Sequence, residues 1–404
     1  MSVEEGVAKL STQADNLSST FVENSAGGFG VTPDIADEFL GAGADVLTTG
    51  NHVWDKREIF AYIDRENRLQ QEAIGMLGVN LLYGAFHQYE NPDDFIQSLA
   101  DGIDVERIEI DMIEFNGPAF EKFDNRILCL KLTQAGLTDA IMFDQRGFVV
   151  QASEVLYKKS CLIERGSFRP VTKGNLDMLG NAKKQFITRE QVDEEELMVF
   201  TELTLGSLAN EGTINYKDFI SRIEVINACG YGVLVSNYFE YYKLASYLRR
   251  LIKKPIGLVM GLNNLADIFK QEYYSNLGGG ILEAFGVLFK DNIRIYAYPV
   301  EKETFERYRQ QFRRGDNVSI NETKSGLINV ENLFVADNLR NLYKYIRENG
   351  FLETISECNR ENMKFFSRDI FDRIVKREEG WKNNLPESVA KMIEAKNLWL
   401  EGNS

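Results

Sequence analysis

The chain has 404 residues, 44% hydrophobic and 26% charged, enough to bury a large core over two or three domains and too apolar for a disordered protein. Its 46 basic and 61 acidic residues give a net charge of -15, which repels a phosphate backbone and argues against nucleic acid as a partner. The four cysteines form no CxxC pair, the N-terminus MSVEEGVAKL has no apolar run, and no window approaches 18 apolar residues; these features predict a reduced, cytoplasmic protein without a membrane span.

Residues 1–20 read as a polar tail. Residues 21–69 read as a compact βαβ piece. Phe21 and Val22 end a short strand, and a glycine-rich turn follows. Thr32 is a helix N-cap with Pro33 at the first helical position, and Gly41 or Gly43 stops the helix. ADVLTT is the next strand, and DKREIFAYID starts another helix.

Residues 70–190 read as a mixed α/β region. DDFIQSLADGI is helical. VERIEIDMIEF places Ile108, Ile110 and Met112 on one side and Glu109 and Asp111 on the other, a half-buried strand. DAIMFDQRGFVVQAS is a hairpin turning at Gln145, Arg146 and Gly147. The charge-dense stretch 183–197 is a boundary or an exposed helix. Residues 198–404 read as an α/β domain with strands MVFTELTL, YGVLVS, IGLVMG and IRIYAYPV. Helical segments such as YFEYYKLASYLRRLIKK and GGGILEAFGVLFK lie between them. Strands alternating with helices favour a largely parallel sheet. The last 75 residues are mainly helical, with ENLFVADNLRNLYKYIRENG and PESVAKMIEAKNLWL as amphipathic segments. The expected class is α/β: a small βαβ N-terminal unit, a larger mixed body with largely parallel strands, and a helical C-terminal region.

Two stretches carry candidate chemistry near the N-terminus, VENSAGGFG (22–30) and TTGNHVWDK (48–56). Glu23 and Asn24 follow one strand of the βαβ piece; Asn51 and His52 follow the next. A right-handed crossover brings the carboxyl ends of parallel neighbours to one edge, so the four residues converge. A carboxylate, amide oxygens and an imidazole suit a divalent metal that activates water.

The run from Val22 to about residue 69, with EN-x-AGG-x-G and then GNH-x-WDK, closely resembles a bacterial metallophosphoesterase family. Its members are dinuclear-metal phosphodiesterases acting on 2′,3′-cyclic nucleotides and cyclic AMP. The resemblance implies a hydrolase using manganese or iron. It places Glu23 as the bridge between two metals, Asn51 on the second metal, Asn24 in support, and His52 as a proton donor. It also implies an Asp ligand on a strand ending in Gly-Asp, and further histidines on distal loops. Residues 1–20 hold no such motif, and the only histidines are His52 and His87. The expected function is therefore a metallophosphoesterase-like segment that is not catalytically complete.

The larger part offers two anion-binding candidates. In LYKKSCLIERGSFRPVTKG (156–174), Lys158, Lys159, Arg165 and Arg169, with Lys173 beside them, could hold phosphate; the alternative is a solvated hairpin rim. Gly278, Gly279 and Gly280 precede a helix and could cradle a phosphate on backbone N–H groups, or form a closely packed turn. From about residue 76 onward the chain also faintly resembles a bacterial family of unassigned activity. The residues that carry this are LGVNLLYGAF, SEVLYKKSCLIERGSFRPVT, KKPIGLVMG and YYSNLGGGILEAFGVLFK. Its members carry labels such as TonB-dependent receptor or nicotinamide-nucleotide adenylyltransferase. The first label requires barrel strands that are absent; the second class uses an HxGH phosphate motif, and no HxGH occurs. The alternative function is a nucleotide- or phosphometabolite-binding or -transferring protein acting through this larger part. Its partner would be a small phosphorylated molecule or nucleotide; the sequence leaves the oligomeric state open.

Overall fold

The computed structural model describes residues 9–11, 19–21, 32–41, 46–48, 71–103, 108–210, 212–312, 317–321, 325–364 and 366–400. The chain divides into two compact units, Met1–Ile141 and Met142–Ser404. Among the described residues no helix is long and apolar enough to cross a membrane.

The first unit contains the expected βαβ piece. Strand β1 is Lys9–Ser11, β2 is Ser19–Phe21, helix α1 is Pro33–Gly41 and β3 is Val46–Thr48. β2 and β3 are parallel, with Ser19 opposite Val46 and Phe21 opposite Thr48. Thr32 caps α1 as its sequence predicts: its hydroxyl accepts from the Ile35 N–H at 3.4 Å. Two helices follow, α2 (Gln71–His87) and α3 (Pro92–Ser98). α2 packs its Leu77 and Gly84 side inward. A Cβ on Gly84 would stand 2.8 Å from the Phe95 ring, so only glycine permits this approach. The Asn80 amide ties α2 to the carbonyls of Leu99 (3.0 Å) and Asp101 (2.8 Å).

Of the strand predicted over 105–115, the described residues are 108–115. Among these, only β4 (Met112–Glu114) pairs, antiparallel to β1. Ile110 is buried as expected, but its N–H goes to the Leu137 carbonyl at 2.9 Å rather than to a strand. Helix α4 (Asn125–Gln134) packs on β4, and Lys131 on α4 forms an ion pair with Asp93 on α3.

The second unit is built on an eight-stranded sheet. β5 (Ala140–Phe143) and β6 (Val149–Val150) form the predicted hairpin, Phe143 opposite Val149. The Asp144 carboxylate closes its turn by accepting from the N–H groups of Arg146 (2.8 Å) and Phe148 (2.9 Å). The other six strands are β7 (Ser160–Arg165), β8 (Leu197–Thr204), β9 (Gly232–Ser236), β10 (Ile256–Gly261), β11 (Ile293–Tyr298) and β12 (Leu352–Thr354). Every described pairing among these six is parallel. Their runs of Val, Ile, Leu and Met are buried almost throughout, as a parallel sheet covered on both faces requires.

In space the order is β12-β11-β10-β7-β8-β9-β5-β6. Numbered by sequence, the six parallel strands therefore read 3-2-1-4-5-6. The chain steps outward from β7 to β8 and β9, then crosses back to lay β10 on the other flank of β7. This is the doubly wound order, with its switch point between β7 and β10. Helix α5 (Lys173–Glu190) links β7 to β8, α6 (Tyr216–Asn227) links β8 to β9, and α7 (Tyr241–Leu251) links β9 to β10. A core of Leu162, Leu179, Phe186, Val259 and Tyr296 lies between α5 and the sheet.

The C-terminal region is helical as expected, including α8 (Arg340–Glu348) and α9 (Glu387–Lys396). Besides β12, the segment ENLFVAD departs from this. Leu333–Val335 is a strand, antiparallel to Val318–Ile320. Its Leu333 and Val335 are buried and Phe334 is half-buried, a period of two that the following helical pattern obscures. The four cysteines are free; burial pushes the Cys129 and Cys161 thiols up to about 12.

Candidate functional site

Glu23, Asn24, Asn51 and His52 lie outside the described residues; in sequence, Glu23 and Asn24 follow β2, and Asn51 and His52 follow β3. Among the described residues no group of three or more His, Cys, Asp or Glu side chains could hold a metal. One carboxylate, two amides and one imidazole do not fit a two-metal centre, which needs two filled coordination shells.

The basic residues of 156–174 do not converge. Lys158 and Lys159 precede β7, while Arg165 ends it, about 20 Å away along an extended strand of this length. The Lys158 ammonium lies 5.0 Å from the Tyr157 ring, and the Lys159 ammonium donates to the Glu195 carbonyl at 3.0 Å. Arg169 forms an ion pair with Asp218 (Nε to Oδ1, 2.7 Å), its guanidinium 3.8 Å from the Phe371 ring. At the glycine run, the Gly279 N–H donates to the Glu283 carboxylate at 2.8 Å, so the helix's own acid takes up that donor.

Arg165 belongs instead to a buried network at the carboxyl edge of the sheet. Its Nε and Nη2 donate to the two Glu202 carboxylate oxygens at 2.7 and 2.8 Å. Its Nη1 donates to the Phe239 carbonyl at 2.7 Å, and its guanidinium lies 4.2 Å from the Tyr241 ring. Arg165 and Glu202 are register partners on β7 and β8, so their side chains share a face. Glu202 is fully buried and also accepts from the Ser236 hydroxyl at 2.6 Å, which brings in the end of β9. Burial works against the charge on Arg165, but Glu202, Tyr241 and Glu240 together outweigh it and hold the guanidinium pKa above its ordinary value.

On the other face of β7 stands Glu164, 1% exposed. Its Oε1 accepts from the Asn175 amide at 2.6 Å. Its Oε2 is buried and makes no hydrogen bond to a described residue. Burial pushes this carboxyl up to about 8, with the Asn175 hydrogen bond working the other way.

Asn175 is held by the cap of α5. Its Oδ1 accepts from the Thr172 N–H (3.0 Å) and the Thr172 hydroxyl (2.8 Å), while Thr172 Oγ1 accepts from the Asn175 N–H at 3.3 Å. This is a capping box made of Thr and Asn. Thr172-Lys173-Gly174-Asn175 also has the spacing of HxGH, with threonine and asparagine at both histidine positions. No imidazole is available there.

A cleft of about 660 Å³ opens at this helix start, lined by Lys173, Leu176, Asp177, Asn359, Asn362 and Asn383 among others. Lys173 spends one ammonium donor on the Asn383 carbonyl at 2.8 Å. Asp177 accepts from the Asn359 N–H at 2.8 Å and from the Tyr298 hydroxyl. A Cβ on Gly174 would stand 2.8 Å from the Asn362 carbonyl oxygen, so glycine allows the later segment to reach the helix start. Glu164, Thr172 and Asn175 are the residues that sequence reading did not single out as a unit. The available signal was a capping box directly after a buried strand and a glycine.

Residues 5–73 match the family model described as YmdB-like protein. The 2′,3′-cyclic-nucleotide 2′-phosphodiesterase of Bacillus subtilis (strain 168) is 44% identical over 63 residues, 15% of this chain and 24% of that protein. The chain thus spans about a quarter of the length of this curated relative. A solved Vibrio parahaemolyticus structure, named as a nicotinate-nucleotide adenylyltransferase, covers 60% of this chain and 96% of its own, at 11% identity and a TM-score of 0.24. That similarity is too low to carry an argument. What the sequence matches do establish is that the N-terminal segment of this chain is metallophosphoesterase-like.

Proposed function

We propose that the second unit binds a small phosphorylated metabolite, nucleotides included, at the carboxyl edge of its sheet, in the cleft at the start of α5. The observation that carries this is the reversal of strand order between β7 and β10. Ligands of open α/β sheets bind at such a switch point, outside the carboxyl ends of the strands. The start of α5 supplies N–H groups and the positive end of an 18-residue helix dipole, with Lys173 as a cation at the first helical position. In this reading the metallophosphoesterase-like segment, with Glu23, Asn24 and Asn51 placed at metal and His52 as proton donor, is not catalytically complete.

The test is a thermal-shift panel of mononucleotides, 2′,3′-cyclic nucleotides, sugar phosphates and inorganic phosphate on the full chain. At least one compound should raise the melting temperature. Lys173→Ala should weaken that compound's binding about tenfold, the usual cost of one charge-assisted hydrogen bond. Lys173 lies at the surface, so the fold should persist. A panel without a hit, or a hit indifferent to Lys173→Ala, overturns the reading.

A further inference from the structure

The outward side of α2 is apolar from Ile74 to Phe86. Ile74, Val79, Leu82, Tyr83 and Phe86 are 39, 66, 56, 54 and 63% exposed. Val79, Leu82, Tyr83 and Phe86 stand at i, i+3, i+4 and i+7, which makes them one stripe. Gly75 and Gly78 are exposed on the same side, and a Cβ added to either would meet nothing within 4 Å. The opposite side is already used, through Leu77, Asn80 and Gly84. No Asp, Glu, Lys or Arg occurs from Ala73 to His87. A helix that is apolar all round is stable when both sides are covered.

The stripe is small in its first half and bulky in its second. An antiparallel copy of the same helix, turned about a two-fold axis between Asn80 and Leu81, sets the bulky half against the small half. Positions summing to 161 then face each other: Gly75 meets the Phe86 position of the other copy, Gly78 the Tyr83 position, and Val79 the Leu82 position. This self-complementarity is what a two-fold interface demands. The stripe is uncharged, so two chains of net charge -15 need not bring acids together there. Five side chains giving about 100 Å² each bury roughly 1,000 Å² over two copies, the lower bound for a specific contact.

We propose that a second copy of this chain covers the α2 stripe, forming a two-fold dimer through antiparallel α2–α2 packing. Sedimentation of the full chain between micromolar and tens of micromolar concentration should show a dimer. Leu82→Glu with Phe86→Glu should give a monomer with an unchanged circular-dichroism spectrum. The double variant Gly78→Cys, Tyr83→Cys should form an inter-chain disulfide under mild oxidation, which the wild type does not form. That measurement stands even if the glutamate variant folds poorly. A monomeric wild type, a dimer that survives the two glutamates, or no cross-link between positions 78 and 83 would each overturn the proposal.

Discussion

Arg165→Ala should lower the stability of the second unit by about 3–5 kcal/mol, the usual cost of removing one partner from a buried ion pair. Glu202 is fully buried, and in the variant it loses both short hydrogen bonds from the guanidinium and keeps only the Ser236 hydroxyl. The Phe239 carbonyl loses a donor and the Tyr241 ring loses its cation. The loss is largely that of a stranded charge. Arg165→Met combined with Glu202→Met should therefore recover most of it, since apolar residues of similar volume can replace a buried pair. Urea unfolding followed by circular dichroism reads both values. If Arg165→Ala costs less than about 1 kcal/mol, as at an exposed pair, the network is not what anchors the carboxyl edge.

Glu164 should make the stability of the second unit depend on pH. The unfolded chain releases this proton near the ordinary value of 4.5, whereas burial in the folded protein keeps it bound up to about 8. Between those values the folded state holds a proton that the unfolded state has lost. The stabilisation is fully present below 4.5 and falls as pH rises toward 8, by about 1.4 kcal/mol per pH unit from this group alone. Above 8 both states are ionised and the slope from Glu164 ends. Glu164→Gln keeps a carbonyl oxygen for Asn175 and cannot ionise. The stability difference between wild type and Glu164→Gln, measured from pH 5 to pH 9, should therefore move against the wild type as pH rises to about 8 and level off above it. A difference independent of pH would show that Glu164 ionises as an ordinary carboxylate.

Much of this architecture is legible residue by residue. Thr32-Pro33 announces α1, Asp144 to Gly147 announces the hairpin, and the apolar runs of β8, β9, β10 and β11 stand out between polar helices. These signals are local, and local signals survive in sequence. The strand order does not. That β10 lies against β7 rather than β9 depends on contacts about 95 residues apart. Burial of Glu164 follows from that order, so an acid at a strand end reads as solvent-facing until the sheet is known. The basic run 158–173 misleads for a related reason. Its residues are neighbours in sequence, but an extended strand carries Lys159 and Arg165 to opposite edges of the sheet. Leu333–Val335 is too short for its alternation to stand out before the α8 pattern begins.

Ligand binding is expected at the carboxyl edge, at the start of α5. Hydrogen–deuterium exchange on the full chain, with and without the panel compound that raises the melting temperature most, tests it directly. Protection is expected in 172–177, 359–362 and 383–384, the segments that line the cleft. Protection confined to 22–69 or to 278–283, with 172–177 unchanged, would contradict it.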